Sequence, residues 1–352
     1  HPEPGDVAWC DMVILQREAS PAALDLVRSL RARGKRVIFD IDDYLLDVPP
    51  YLTVYEHCER MRPHLEAVLA EVDAVSVSTP PLREALLSYN PRTYITPNYA
   101  WSNHAPIEHD DGTPSTPAEV RLIVASSDSV RVDFLVDVLR HLTDHPGTHV
   151  ELVAIGPPGE YLRGVGIPVA ALPTVSHEEF KGMLASRANT IALVPLDDNP
   201  FNRCKSAIKY FDYALAGVPA ICSNMTPYAN VIEHGVDGFL CGNSSVEWIE
   251  IASELIGNAG MRREVAATAH RRCLDLYSLN RSAAAWQEML VDTTFPKGDP
   301  GEWQLDVTHR MRWQLLRGTI RHLGRPNSYR TAWKLYREKG VRGLVSQWKT
   351  VF

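Results

Sequence analysis

The sequence predicts an α/β protein made of two doubly wound domains, each built on a parallel β-sheet. Short apolar segments alternate with helical patterns from Asp11 to about residue 275, which is typical of parallel sheets covered by helices. Residues 102–118 are rich in Pro, Asp, Ser and Thr and show no periodicity, which indicates a linker or an exposed loop. The 352 residues suffice for two hydrophobic cores, so we expect two domains with a cleft between them.

The first α/β series defines the predicted N-terminal domain, residues 1–108. Its first two strands, DMVILQ and RVIFDI, are apolar runs, as expected for strands that are buried on both faces. Gly34 ends the helix between them. The series opens without the Gly-rich turn of a complete Rossmann-like half, so we expect an abbreviated domain. The predicted strands are Asp11–Gln16, Arg36–Ile41, Ala74–Ser78 and Thr93–Thr96, and the predicted helices are Pro21–Arg33, His57–Glu71 and Pro81–Ser88.

The second series defines the predicted C-terminal domain, residues 119–290, which follows a linker at 109–118. Its strand-length segments are again apolar, and a glycine, Gly217, stops the helix before the last strand. The tripeptide Gly156-Pro157-Pro158 is expected to close the second strand. The predicted strands are Arg121–Ala125, His149–Ile155, Thr190–Val194 and Pro219–Ser223, and the predicted helices are Val132–Thr143, Glu178–Ala185, Ser206–Leu215, 246–257 and 260–275.

The composition is that of an ordinary soluble protein. Hydrophobic residues make up 45% of the chain and charged residues 22%, and no apolar run reaches the roughly 18–20 residues that span a bilayer. None of the six cysteines lies at CxxC spacing, which argues against a zinc knuckle or a redox dithiol. Scattered cysteines in apolar segments are typical of buried thiols in a reducing compartment, so we expect a cytoplasmic protein.

The C-terminal tail, residues 291–352, is predicted to be helical and differs in charge from the acidic body. Residues 309–352 contain 11 Lys and Arg but one acid, Glu338, whereas the whole chain has a net charge of −7. Trp and Tyr among these cations suit a helix on an anionic membrane surface, so a peripheral membrane location is one expectation. Packing of the tail against the acidic N-terminal domain is an equal alternative, and the acidic body argues against nucleic acid.

The segment after the strand Thr190–Val194 is the strongest candidate site. A polar loop leads to Ser206, which is a suitable N-cap for the following helix. The free amides of Ala207 and Ile208 at the helix start would accept a phosphate, and Lys205 and Lys209 bracket that point. The alternative interpretation is a capped helix with two surface lysines. Asp212, on the same helix, would lie within reach of a ribose diol, although an isolated helical Asp is usually only solvated.

The stretch from Lys205 to Leu240 carries a family resemblance. KSAIKYFDYALAGVPAICS, followed by Pro227-Tyr228 and by Gly235-x-x-Gly238, resembles the donor-binding region of bacterial retaining glycosyltransferases of the family-4 kind. Weaker similarity covers most of residues 7–290. These enzymes have the GT-B fold, two Rossmann-like domains around a cleft. The resemblance implies transfer of a hexosyl or deoxyhexosyl unit, with retention, from a nucleoside-diphosphate sugar to a hydroxyl of a glycan or lipid-linked glycan, as in O-antigen or capsule synthesis.

The resemblance also assigns roles to individual residues. It implies that Asp212 binds the ribose and that Lys205 and Arg131 stabilise the leaving diphosphate as the catalytic cations. It implies no metal and no cofactor beyond the donor, and no dedicated protein base. The further donor-binding residues are Asn202, Ser206, Ala207, Ile208, Lys209, Leu172 and Pro173, the last two at the base.

Two positions depart from the family pattern. The family pattern has two glutamates with seven residues between them, and the first of these falls at Cys204. The Gly-Arg that usually opens the second domain reads Ala125-Ser126. A thiol does not accept a hydrogen bond from a sugar hydroxyl as a carboxylate does. We therefore expect a changed donor sugar, weak activity, or a non-catalytic GT-B module of a larger assembly.

An acidic loop follows the second strand of the N-terminal domain. Within the transferase interpretation, Asp42, Asp43 and Arg17 would face the acceptor, although Arg17 could pair with these acids and the acids could merely cap the next segment. The same stretch resembles the first motif of haloacid dehalogenase-like phosphatases, with Asp40 as nucleophile and Asp42 as acid/base. Tyr44 departs from that motif. Asp197-Asp198 would have to supply its metal-binding pair.

Overall fold

A computed structural model of the chain describes residues 10–99, 120–127, 133–143, 150–185, 189–242 and 244–294. The contacts divide the chain into two compact units, His1–Thr294 and Phe295–Phe352, and every element below lies in the first. The predicted linker 109–118, the candidate cation Arg131 and the tail beyond Thr294 lie outside the described residues.

The first sheet has four parallel strands in the order β1-β2-β3-β4. Its first helix begins where the sequence predicts, because Ser20 accepts a hydrogen bond from the amide of Ala23 and Pro21 opens the helix. The chain leaves that helix through Gly34 at φ 71°. The elements are β1 (Met12–Gln16), α1 (Pro21–Ala32), β2 (Arg36–Ile41), α2 (Tyr55–Glu71), β3 (Ala74–Val77), α3 (Pro80–Leu86) and β4 (Thr93–Ile95).

The second sheet has six parallel strands in the order β10-β9-β8-β5-β6-β7. The strands are β5 (Val120–Ala125), β6 (Val150–Ile155), β7 (Ala170–Leu172), β8 (Thr190–Val194), β9 (Ala220–Ser223) and β10 (Phe239–Cys241). The helices are α4 (Asp133–Thr143), α5 (Pro157–Gly164), α6 (His177–Ala185), α7 (Pro200–Arg203), α8 (Ile208–Leu215), α9 (Ser245–Gly257), α10 (Ala259–Leu276) and α11 (Leu279–Thr294).

The order of the second sheet reverses beside its first strand. The chain runs outward from β5 through β6 to β7, and then returns to the other side of β5 with β8. In doubly wound sheets such a reversal opens a crevice at the carboxyl ends of the two strands, because the connections on either side depart to opposite faces. The loops after β5 and β8 therefore flank the natural binding crevice of this sheet.

Both faces of the second sheet are packed. Alternate residues of β5 point to opposite sides, so Leu122 joins one buried cluster and Ile123 joins the other. The first cluster includes Trp248, which is fully buried and donates from Nε1 to the carbonyl oxygen of Gly242 at 2.8 Å. A rigid sheet of this kind holds the loops at its carboxyl edge in fixed positions.

Several elements are absent from the sequence-based prediction. β6 ends at Ile155, just before Gly156-Pro157-Pro158, as predicted, but this tripeptide also starts the unpredicted helix α5, where a proline fits the first turn because it needs no amide partner. The strands β7 and β10 have three residues each and show no periodicity. Helix α11 was also missed, and it contacts the segment after β4, where Ser282 donates to the carbonyl oxygen of Pro97 at 2.5 Å.

All six cysteines are free and buried. This agrees with the prediction of thiols in apolar segments. Among the residues that the structure describes, none of the helices combines the length and the apolar character that crossing a membrane requires.

Candidate functional site

The candidate site lies at the carboxyl ends of β5 and β8. Two side-chain contacts tie its loops together. Lys209, on α8, donates from Nζ to the carbonyl oxygen of Ala125 at the end of β5, at 2.7 Å. Ser223, at the end of β9, accepts a hydrogen bond from the amide of Leu196 at 2.8 Å, just after β8. The start of α8 is thereby fixed at the crevice where the strand order reverses.

The start of α8 differs from the prediction at Ser206. That residue was predicted to cap the helix, but the helix spans Ile208–Leu215, its N-cap position is Ala207, and no side chain caps it. The reason is the preceding helix α7, whose turn at Cys204 leaves Lys205 to Ala207 outside either helix. A helix start without a side-chain cap retains the unpaired amides and the positive dipole end that bind anions.

Asp212 lies on α8 and is only 8% exposed. Its Oδ2 forms a hydrogen bond of 2.8 Å with Nε2 of His177, the first residue of α6. Burial raises the pKa of the Asp212 carboxyl, and the hydrogen bond and charge of His177 act in the opposite direction. The sequence analysis missed His177. The signal that points to it is Ser176-x-x-Glu179, a capping box that fixes where α6 begins.

The loops after β6 and β7 close one side of the crevice. Gly156 has φ 83° and ψ −155°, and its amide donates to the carbonyl oxygen of Leu172 at 2.9 Å. A Cβ at this position would overlap the carbonyl oxygen of Ser126 after β5. Leu172 is half-buried and Pro173 is exposed, so the two predicted base contacts lie at the surface of this loop.

Asn202 is held inside the loop that connects β8 to α8. Asn199 caps α7 by accepting a hydrogen bond from the Asn202 amide at 2.9 Å. The Asn202 side chain donates from Nδ2 to the carbonyl oxygen of Asp197 at 3.0 Å and is 6% exposed. In this arrangement Asn202 braces the loop, and its amide group is directed at the protein backbone.

Helix α7 connects the second domain to the first. Phe201 packs with Val48, Leu52 and Cys58, while Cys204 belongs to the main buried cluster of the first domain. Thr79 donates from Oγ1 to the carbonyl oxygen of Cys204 at 2.7 Å. Burial raises the pKa of the Cys204 thiol to about 11. The position where the family pattern has a sugar-binding glutamate is therefore a packing contact between domains.

The acidic loop of the first domain meets the predicted catalytic lysine. Arg17 contacts Asp43 at 2.7 Å and Asp42 at 3.4 Å, so the predicted pairing of Arg17 with these acids is confirmed. Arg17 has φ 55°, an uncommon conformation for a residue other than glycine. Lys205 lies 3.6 Å from Asp43 and 4.5 Å from the centre of the Phe201 ring. Lys205, Asp42, Asp43 and Arg17 thus form one charged cluster.

The comparisons with known proteins identify the fold. No known family profile and no curated protein sequence match the chain. Among solved structures, S. aureus TarM has a TM-score of 0.58 at 12% identity over 79% of this chain and 55% of its own. HepE of Anabaena has a TM-score of 0.55 at 15% identity over 80% of this chain and 78% of its own. Sucrose-phosphate synthase of Thermosynechococcus elongatus has a TM-score of 0.55 at 15% identity over 80% of this chain and 73% of its own. These structures are GT-B glycosyltransferases. The chain has the GT-B fold.

The GT-B chain described here is shorter than several of the proteins it resembles. It spans about 55% of TarM and 57% of the matched chain of the GtfA/B complex. The predicted GT-B architecture, with two Rossmann-like domains, is confirmed. Within it, the start of α8 and Asp212 lie on the second domain, and the charged cluster lies where α7 meets the first domain.

The GT-B structure does not assemble the alternative phosphatase site. Asp40 accepts hydrogen bonds from Ser76 at 2.6 Å and from Gln16 at 3.1 Å, and burial raises the pKa of its carboxyl. The pair Asp197-Asp198 follows β8 of the other sheet, and Arg203 holds Asp198 at 2.5 and 2.8 Å. In the described part of the chain, no three His, Cys, Asp or Glu side chains form a group that could hold a metal ion.

Proposed function

We propose that the chain is a glycosyltransferase that takes its sugar from a nucleoside diphosphate. The observation that carries this proposal is the uncapped start of α8, fixed at the strand-order reversal of a GT-B domain with the buried carboxylate of Asp212 on the same helix. TarM and HepE have been solved with UDP, and HepE also with UDP-glucose. The proposed donor domain is 119–290 and the proposed acceptor domain is 1–108.

The chemistry follows from the charges at the crevice. As the bond between the sugar C1 and the diphosphate oxygen breaks, negative charge builds on the diphosphate, and an acceptor hydroxyl forms the new bond to C1. The amides of Ala207 and Ile208, with Ser206 and Lys209, would hold the diphosphate, and Lys205 and Arg131 would stabilise its charge. Such fixed positive groups lower the barrier most where charge develops. The hydroxyl proton leaves with the diphosphate, so no protein base is assigned.

The finer assignments belong to the same proposal. Asp212 would bind the ribose, and Leu172, Pro173 and Asn202 would border the donor. Asp42, Asp43 and Arg17 would face the acceptor, which we propose is a hydroxyl of a glycan or lipid-linked glycan. The proposed reaction transfers a hexosyl or deoxyhexosyl unit with retention at C1. It would take place at the inner face of a membrane.

Nucleotide binding is the first test. At a concentration about 100 times the dissociation constant, a nucleoside diphosphate should stabilise the native state by about 2.7 kcal/mol and raise the melting temperature by about 5 °C or more. UDP, GDP, ADP and CDP would be compared by thermal shift, each as the free diphosphate and as a nucleoside-diphosphate sugar. If none of them raises the melting temperature, the transferase proposal is wrong.

Replacing Asp212 with Asn should weaken binding of the preferred diphosphate by roughly 10- to 100-fold, because a hydrogen bond to a charged group contributes about 1.5–3 kcal/mol. Titration calorimetry would measure the dissociation constant. Asp275→Asn is the matched control, since it makes the same substitution at an exposed carboxylate of α10. Equal affinities of both variants would contradict the role of Asp212.

Replacing Asp40 with Asn separates the transferase from the phosphatase alternative. Asp40 is bonded within the first sheet, so the variant should bind the diphosphate with an affinity within about twofold of the original. Hydrolysis of p-nitrophenyl phosphate and of sugar phosphates would be measured alongside. A phosphatase activity that Asp40→Asn abolishes would favour the alternative instead.

A second candidate function rests on Cys204. Because that position is a packing contact, the described site lacks the usual sugar-binding carboxylate, which favours a GT-B module that binds a nucleotide without transferring a sugar. A donor screen distinguishes the two. The module should bind the diphosphate and its sugar conjugate equally and should release no diphosphate from the conjugate with any acceptor, whereas the transferase should bind the conjugate more tightly and turn it over.

A further inference from the structure

The pair formed by His177 and Asp212 joins two helices at the candidate site. The Asp212 side chain is 9% exposed and the His177 side chain is 56% exposed, and their hydrogen bond is 2.8 Å long. The exposed imidazole therefore covers Oδ2 of a buried carboxylate. A residue in that place controls how the carboxylate meets any molecule that enters.

Two sets of contacts fix the position of His177 on α6. Ser176 and Glu179 form the capping box that starts α6, with the Ser176 amide donating to Glu179 at 2.8 Å. Phe180 packs edge-on against Tyr213 of α8, with ring centres 5.7 Å apart. Since Tyr213 follows Asp212 directly, this contact sets the distance between α6 and α8. At that distance the His177 imidazole reaches the Asp212 carboxylate.

The hydrogen bond with His177 also affects the charge of the carboxylate. Burial raises the pKa of Asp212, which favours the protonated acid, whereas the hydrogen bond with His177, its charge and the charge of Lys181 favour the ionised form. His177 and Lys181 are four residues apart on α6 and so lie on the same side of the helix. A carboxylate that must accept hydrogen bonds from two ribose hydroxyls acts best when it is ionised and held in one orientation.

We propose that His177 is a positioning residue that orients the Asp212 carboxylate toward the ribose diol of the nucleoside diphosphate. This inference rests on the proposed function and adds to it a residue that the sequence motif does not contain. Each carboxylate oxygen has two lone pairs, so the imidazole on Oδ2 leaves acceptor sites for the two hydroxyls. The role belongs to recognition of the ribose, and the diphosphate is bound elsewhere, at the start of α8.

A comparison of two ligands tests this role. The first is the diphosphate that stabilises the protein most among UDP, GDP, ADP and CDP, and the second is its 2′,3′-dideoxy analogue, which lacks both hydroxyls. His177→Ala should weaken binding of the diphosphate about tenfold and leave binding of the dideoxy analogue unchanged. His177→Gln, whose amide can donate to Asp212, should recover at least part of the loss. In Asp212→Asn, the further change His177→Ala should add little.

The control and the contrary outcomes are distinct. Glu178→Ala alters the next, exposed residue of α6 and should leave both affinities unchanged. An equal loss for both ligands in His177→Ala would show a general effect on the fold and overturn the inference, and so would tighter binding, since His177 would then occupy the place of the ribose. If the unaltered protein binds none of the four diphosphates, the proposed function fails together with the inference. If the unaltered protein binds a diphosphate, and His177→Ala prefers it over the dideoxy analogue by the same factor, only the inference about His177 is overturned.

Discussion

Replacing Cys204 with Glu should lower the free energy of unfolding by about 3 kcal/mol or more. The change restores the glutamate of the family pattern, but the side chain is 5% exposed and lies in the apolar cluster of the first domain. An ionised group without a partner is costly in such surroundings. Burial and, after it, the negative charges of Asp47 and Asp43 raise the pKa of the Cys204 thiol, so these acids would also repel a carboxylate. Denaturant titration followed by fluorescence measures the loss.

Cys204→Ala is the matched control for this substitution. It removes one sulfur atom from the same contact without introducing a charge, so it should cost about 1 kcal/mol. If Cys204→Glu were as stable as Cys204→Ala and also bound a nucleotide sugar more tightly, the side chain at 204 would face the donor. That result would contradict the packing of Cys204 between α7 and the first domain.

Replacing Gly156 with Ala should also destabilise the protein by about 3 kcal/mol or more. Its φ of 83° and ψ of −155° fall in a region that is essentially restricted to glycine, which alone costs about 1–3 kcal/mol for other residues. A methyl group would in addition overlap the carbonyl oxygen of Ser126. Because this oxygen belongs to the backbone after β5, relief of the overlap must move the loops at the crevice. Denaturant titration gives the free energy, and calorimetry gives the accompanying loss of nucleotide affinity.

Gly166→Ala isolates the effect of the overlap from that of the dihedral angle. Gly166 has φ 79°, and an added Cβ there would meet no atom within 4 Å. Its substitution should cost about 1–2 kcal/mol and leave nucleotide affinity unchanged. Equal destabilisation by the two substitutions would show that the loop after β5 yields freely and would contradict the close approach of Ser126 and Gly156.

Most of the fold follows from local patterns in the sequence. Strands such as Arg36–Ile41 and Thr190–Val194 have the predicted limits, because they are apolar runs flanked by polar or turn-forming residues. The elements that were missed lack such a signal. A three-residue strand such as Phe239–Cys241 owes its conformation to β9 beside it, and tertiary pairing of this kind overrides local propensity.

The candidate site was less accessible to sequence reasoning. The predicted cap at Ser206 is wrong because α7 forms just before it, and α7 is held partly by the packing of Phe201 into the first domain. His177 and Asp212 are 35 residues apart, so no local spacing joins them. The motif at Asp212 could be recognised because it is continuous along the chain, whereas its partner is supplied by the packing of α6 on α8.

The six buried cysteines can also serve as probes of where the protein unfolds locally. Burial raises the pKa of the thiols of Cys204, Cys241 and Cys273 to about 11, 12 and 12, so they stay protonated and unreactive while covered. Cys58 and Cys204 both lie where α7 packs against the first domain, whereas Cys241 is covered by the second domain. Alkylation followed by peptide mass mapping therefore resolves whether the contact of α7 with the first domain or the core of the second domain opens first under heat or denaturant. Modification of Cys58 and Cys204 before the other four marks separation of α7 from the first domain.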